Sequence, residues 1–279
     1  MNSMAKSESS SRIVTSVVAV ISAAALAVSL IAAGFAACAV PDVSTKALAS
    51  AYSPDDASPF TKDELVAAAV QTKHYTIDDN DKAAVYATIA AINAQEALAG
   101  TAGKGAPKID ATANYAAGEL SGEQVAALET AFDAASERYV LTPDAVSHLD
   151  DVFGVVQAAK WWLLAAVVAA CVGCTATAFR GGKRLLGRVL AGAGVSVLAV
   201  CALLAAWVAI DFDGFFAQFH SLFFAAGTWT FSWDSLLICM YPPEFWVGMG
   251  AIWLVVTVAC CVVCITIGRL LRKGSTQKR

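Results

Sequence analysis

Charge is scarce in this chain. Of its 279 residues only 15% are Asp, Glu, Lys or Arg, while 58% are hydrophobic; globular chains average about 25% and about 45–50%. With a net charge of −4 it has neither a basic surface for nucleic acid nor the polar composition of a disordered or collagen-like chain. Cysteine is absent from 41–158, so that stretch has no disulfide framework. Seven of the eight cysteines fall in apolar runs, with Cys239 outside them. Cys171-x-x-Cys174 and Cys261-x-x-Cys264 have the spacing of zinc half-sites, but in such runs free cysteine serves as a small apolar filler. There is no His-Glu-x-x-His, no Gly-x-Ser-x-Gly elbow and no glycine-rich phosphate loop before a helix. Neither a metal nor another cofactor is expected.

What the chain has instead is long uncharged runs. Ile13–Val40, Trp161–Phe179, Val189–Ile210 and Phe245–Ile267 each contain 19 or more residues without a charge. About 20 such residues cross a bilayer core as a helix. Eleven of the nineteen basic residues flank these runs on one side: Lys6 and Arg12, then Arg180, Lys183, Arg184 and Arg188, then Arg269, Arg272, Lys273, Lys278 and Arg279. The positive-inside rule makes that side cytoplasmic.

The expected fold is an all-α membrane protein with four transmembrane helices and both termini cytoplasmic. Its parts are a cytoplasmic N-terminus (1–12), helix 1 (13–40), an extracytoplasmic Ala-rich segment (41–141) and a helix running into the second span (142–180). A basic loop (181–188), helix 3 (189–210), an extracytoplasmic aromatic loop (211–243), helix 4 (244–267) and a basic cytoplasmic tail (268–279) follow. The first run is longer than a cleavable signal peptide requires. A lipidated Cys38 fits poorly with three further spans, so a retained anchor is expected.

The Ala-rich segment reads as mostly helical. Thr61 with Glu64 and Ser121 with Gln124 are capping boxes ahead of apolar residues at helical spacing. Asp78–Asp81 starts a helix that ends near Gly100. His74 has no acidic residue beside it in sequence and reads as a surface histidine.

Two stretches carry candidate chemistry. In the first, Thr142 is an N-cap, Pro143 suits the first helical position and Asp144 favours the positive end of the dipole. His148 then lies about 48 Å of helix before Arg180, at the outer interface. Asp151 shares its helical face and is expected to orient the imidazole. The second runs from Asp211 to Trp246; nine of the 22 residues from Phe212 to Trp233 are aromatic. Such a loop stays at headgroup depth and carries His220 with it. Ionisable groups at this depth are costly and tend to be functional.

The motifs Ser147-His148-Leu149-Asp150-Asp151-Val152, Phe219-His220-Ser221-Leu222-Phe223-Phe224, Gly227-Thr228-Trp229, Asp234-Ser235-Leu236-Leu237 and Pro243-Glu244-Phe245-Trp246 resemble the bacterial lipoprotein intramolecular transacylases, Lit. The resemblance covers roughly 142–267 and the plan of the first span. It implies a plasma-membrane acyltransferase, with its site at the outer leaflet, that acts on diacylated lipoproteins among membrane lipids. The sn-2 acyl chain moves to the α-amino group of the N-terminal cysteine, giving the lyso form. Catalytic roles fall to both histidines, with His220 as base and His148 as acid or the reverse, and to Asp151 as the carboxylate that orients His148. Asp213 and Asp234, with Asp211, are candidates for orienting His220 or binding the substrate ammonium. Phe219, Phe223 and Trp229 would hold acyl chains. The alternatives are a non-enzymatic scaffold and an intermolecular lipid acyltransferase. A transporter is disfavoured, because no span carries an internal carboxylate.

Overall fold

The computed structural model describes residues 2–115 and 120–273, with the backbone alone for 2–9. Lys278 and Arg279 of the expected basic tail lie outside the described residues. Within them the chain is helical, with no strand. The helices are α1 (Asn2–Ala39), α2 (Asp42–Tyr52), α3 (Lys62–Ile77), α4 (Lys82–Ala99), α5 (Gly122–Asp133), α6 (Pro143–Ile210), α7 (Phe212–Ser221), α8 (Leu236–Met240) and α9 (Pro243–Lys273). Three of them, α1, α6 and α9, are long and apolar enough to cross a membrane. The 68-residue α6 is interrupted at Gly182, whose φ of 71° and ψ of −179° are not helical. A residue without Cβ takes that conformation at little cost.

The chain divides into two compact units. One comprises Met1–Ala37, Ala158–Phe215 and Ile252–Arg279. Its helices meet through small residues, which let backbones approach closely in lipid. Ser22 lies 3.3 Å, Oγ to Oγ1, from Thr177 before the Gly182 break, and Leu30 packs with Val197, Cys201 and Cys261 beyond it. Gly187 and Gly268 face each other so closely that a Cβ on either would come within 2.6 Å of the other's carbonyl oxygen. Trp161, Trp162, Phe179, Leu203 and Ile210 are exposed. An outer surface this apolar suits hydrocarbon rather than water, and the protein is a multi-pass membrane protein.

The other unit comprises Cys38–Gln157 and Phe216–Ala251. Both expected capping boxes form, Thr61 with Glu64 and Ser121 with Gln124. Asp81 caps α4, and Gly100 closes it at φ 74°. One core then gathers Leu65, Tyr75, Ile89 and Phe132 from α3–α5, Val140, Leu141, Ala145 and Leu149 around the start of α6, Leu236 and Met240 from α8, and Phe245 from α9. Polar contacts pin this core at its edges. The Tyr75 hydroxyl donates to Asp150, the Tyr241 hydroxyl to the Ala69 carbonyl, and Asn93 Nδ2 to the carbonyls of Ile89 and Tyr139, each at 2.9 Å.

Two sequence expectations change here. His74 is half-buried and its Nε2 lies 2.9 Å from Asp42 Oδ1, which also receives Lys73 Nζ at 2.9 Å. These bonds hold the Asp42 carboxyl down to about 2, His74 and then Lys73 being the chief causes. The partner lies 32 residues away in α2, out of reach of any local pattern. The 211–243 segment is also less of a loop than expected. It contains α7 and α8, and Cys239 is fully buried in the core.

Gly268→Leu forces a side chain into the Gly187 carbonyl and should destabilise the detergent-solubilised protein by about 1–3 kcal/mol. An unchanged thermal unfolding midpoint would show that this contact does not hold the helices together.

Candidate active site

The site is built on the core of the second unit. Thr142 Oγ1 accepts the Ala145 N–H at 3.3 Å and the Thr142 carbonyl that of Val146 at 2.9 Å, so α6 starts at a fixed point. Ala145, Val146 and Leu149 turn inward, and His148 goes with them, only 8% exposed. It precedes the uncharged Trp161–Phe179 run by thirteen residues and lies outside the spanning stretch. Asp150, two residues on, receives Tyr75 of α3 and Asn80 Nδ2 at 3.1 Å, which fixes the rotation of this turn.

The second histidine arrives on α7. Asp211 Oδ1 accepts the Gly214 N–H at 2.9 Å, the capping role of a short acidic side chain. At the far end His220 Nδ1 lies 2.9 Å from the Phe216 carbonyl oxygen. A carbonyl only accepts, so Nδ1 carries the proton and Nε2 keeps its lone pair. The chain then returns through Gly227, left-handed at φ 85°, to Ser235, which caps α8. A clamp secures this return. Ser232 Oγ donates to Glu137 Oε1 at 2.5 Å, Leu236 N to the Glu137 carbonyl at 2.7 Å, and Arg138 Nε pairs with Asp234 Oδ2 at 3.3 Å.

The two imidazoles therefore meet. Their ring centroids lie 6.3 Å apart, stacked at 28°. Phe224 sits edge-on to His148 at 4.9 Å, and Phe231 is 5.8 Å away. Phe216 lies 4.0 Å, Trp229 4.9 Å and Phe219 5.8 Å from His220. Desolvation in this aromatic shell disfavours imidazolium. It pushes His148 down to about 4, helped by the nearby His220 and opposed by the Asp151 charge. His220 is also lowered by burial, against the Phe216 bond that raises it. Both rings are neutral at pH 7. In chemical terms the arrangement offers a proton acceptor at His220 Nε2, within an aromatic cluster beside a second neutral imidazole.

The other sequence-predicted residues separate here. Asp151 acts on His148 through space, and His148 Nδ1 is buried without a hydrogen-bond partner. Asp234 is engaged by Arg138, and Asp213 is exposed in the first turn of α7. Phe219 and Phe223 meet edge-on at 5.3 Å and remain 47% and 48% exposed. Among the described residues no three His, Cys, Asp or Glu side chains converge as metal ligands.

Residues 111–246 match the family described as lipoprotein intramolecular transacylase Lit. Over that stretch the chain is similar to the Lit family. Solved structures of the membrane integral Lit from Bacillus cereus share its fold. One is 16% identical, with a TM-score of 0.64, covering 95% of this chain and 98% of that one. A variant of that protein with a histidine replaced by arginine is 15% identical, with a TM-score of 0.63, covering 100% and 99%. A variant with alanine at the same position is also 15% identical, with a TM-score of 0.62, covering 99% and 100%. No curated protein matches the chain.

The Lit match begins at 111, ahead of the 142 read from motifs, and takes in α5 together with both histidines and the whole aromatic shell. Sequence reasoning missed Phe216, Phe224 and Phe231 as ring neighbours. The i, i+4 spacing of Phe216, His220 and Phe224 was the available signal. It also missed the Glu137 and Arg138 clamp, which joins positions about 95 residues apart.

Nitrogen-15 NMR of histidine-labelled protein should find His220 as the neutral Nδ1–H tautomer at pH 7. Neither site ring should take up a proton until the pH falls below 6.5, with His148 titrating near 4. A charged ring at pH 7, or a His220 proton on Nε2, would contradict this electrostatic picture.

Proposed function

We propose that this protein is a lipoprotein intramolecular transacylase of the outer leaflet of a bacterial plasma membrane. In this reading four helices span the membrane, with both termini cytoplasmic. A continuous 68-residue helix would be about 100 Å long, roughly three times a bilayer core. The break at Gly182, beside Arg180, Lys183, Arg184 and Arg188, supports two passes joined by a short cytoplasmic turn. The Lit match over both histidines supports the acyltransferase assignment. The observation that carries the mechanism is the meeting of two neutral imidazoles in an aromatic shell.

The substrate is a diacylglyceryl lipoprotein with a free N-terminal cysteine amine. His220 Nε2 takes a proton from that amine, whose lone pair attacks the sn-2 ester carbonyl. A C–N bond forms and the carbonyl pair moves onto oxygen. As the carbonyl returns, the C–O bond to the glyceryl oxygen breaks, and the proton held by His220 passes to that oxygen. The product is an amide and a free sn-2 hydroxyl, and total mass is unchanged. A substrate that starts as ammonium releases one further proton to solvent.

His148 is uncharged at rest, so the acid role read from sequence becomes one of hydrogen-bond donation from a neutral ring to the leaving oxygen. Asp151 favours transient charge on that ring. Asp213, exposed at the start of α7, is the carboxylate assigned to the substrate ammonium. Asp234 acts through its pair with Arg138 by holding the loop. Phe219 and Phe223 hold the acyl chains. Nucleophile and ester belong to one molecule, so positioning supplies much of the rate.

The test is to express the chain in a bacterium that makes only diacylated lipoproteins and to read lipoprotein N-termini by mass spectrometry. One acyl chain should move to nitrogen with no change in mass. His148→Ala and His220→Ala should each slow transfer by about 10²–10⁴-fold. In vitro the rate should climb with pH until the substrate amine, of pKa near 8, is free. A triacylated product would mark intermolecular transfer; unmodified lipoproteins would mark a scaffold.

A further inference from the structure

Two buried polar atoms in the histidine cluster have no hydrogen-bond partner: His148 Nδ1 and Trp229 Nε1. His220 neighbours both rings, at 6.3 Å from His148 and 4.9 Å from Trp229. An indole nitrogen can only donate. Native proteins seldom bury such a donor without a partner, and a catalytic role is one of the few reasons for it. Gly227, at φ 85°, and the Thr228 turn, with Thr228 N donating to the Ala225 carbonyl at 3.3 Å, deliver Trp229 to this position.

Acyl transfer needs a donor that the other residues do not supply. The oxygen of the attacked carbonyl gains negative charge, and a prearranged N–H aimed at it stabilises that charge. His220 Nδ1–H is committed to the Phe216 carbonyl, its Nε2 must accept the amine proton, and His148 serves the leaving oxygen. We infer that the Trp229 indole N–H is the oxyanion donor, making Trp229 a catalytic residue rather than only a wall for acyl chains. As the amine–carbon bond forms, the carbonyl π pair moves to oxygen and that oxygen accepts from Nε1. When the ester C–O bond breaks the carbonyl re-forms, and Nε1 keeps its proton throughout. The inference rests on the transacylase reading.

The test uses the detergent-solubilised full chain and a synthetic diacylglyceryl lipopeptide. Trp229 is replaced by phenylalanine and, separately, by 3-benzothienylalanine, which keeps the bicyclic shape and puts sulfur where the N–H was. Both should lower kcat about 100-fold or more while KM stays within about two-fold. A benzothienyl protein with wild-type kcat would overturn the assignment, because shape alone would suffice. A raised KM at unchanged kcat would overturn it as well, leaving Trp229 as an acyl-chain contact. If the wild-type chain itself moves no acyl group, the transacylase reading falls and takes this assignment with it. The wild-type control separates that outcome from the others.

Discussion

The hydrogen bond from His220 Nδ1 to the Phe216 carbonyl is a small feature on which the site depends. In the proposed reaction it makes a half-buried ring a directed base, because the proton on one nitrogen leaves a lone pair on the other. Burial in a shell of Phe and Trp keeps that ring uncharged near neutral pH. Without the bond, tautomer and orientation would both be free. Without the burial, much of the imidazole would be protonated on modest acidification and could accept nothing.

Holding two neutral imidazoles in apolar surroundings has a structural cost, met by the helical unit around them. Leu141, Ala145 and Leu149 on one carrier and Leu236 and Met240 beyond the other share one core with α3, α4 and α5. The Ala-rich segment, which carries no chemistry in its sequence, is what gives the two carriers a common anchor. Tyr75 on Asp150, Arg138 on Asp234 and Ser232 on Glu137 then set rotation and register. Several acidic residues near the histidines are thereby engaged in positioning.

Local pattern carried a good part of this in the sequence. Both capping boxes, a helix that starts within Asp78–Asp81 and ends near Gly100, and the start of α6 at Pro143 follow from short-range rules, and the structure has each of them. The two histidines stood out because both lay at one depth beside apolar runs. Long-range pairings carry no period, which is why Asp42 with His74, Arg138 with Asp234 and Tyr75 with Asp150 were invisible. The burial of α8 was hidden for a related reason: a five-residue helix inside an aromatic stretch reads as loop. The neutral state of His148 was also illegible, since it comes from Phe224, Phe231 and His220 crowding the ring rather than from Asp151 three residues away.

In the proposed reaction His148 and His220 act as one unit on one reacting ester, which a double-mutant cycle can test. Transfer rates are measured for His148→Ala, His220→Ala and the double variant on one lipopeptide. Residues acting as a unit are grossly non-additive, so the double variant should be about as slow as the slower single one. A double variant whose loss equals the product of the two single losses would mean that the rings act independently, and would contradict it.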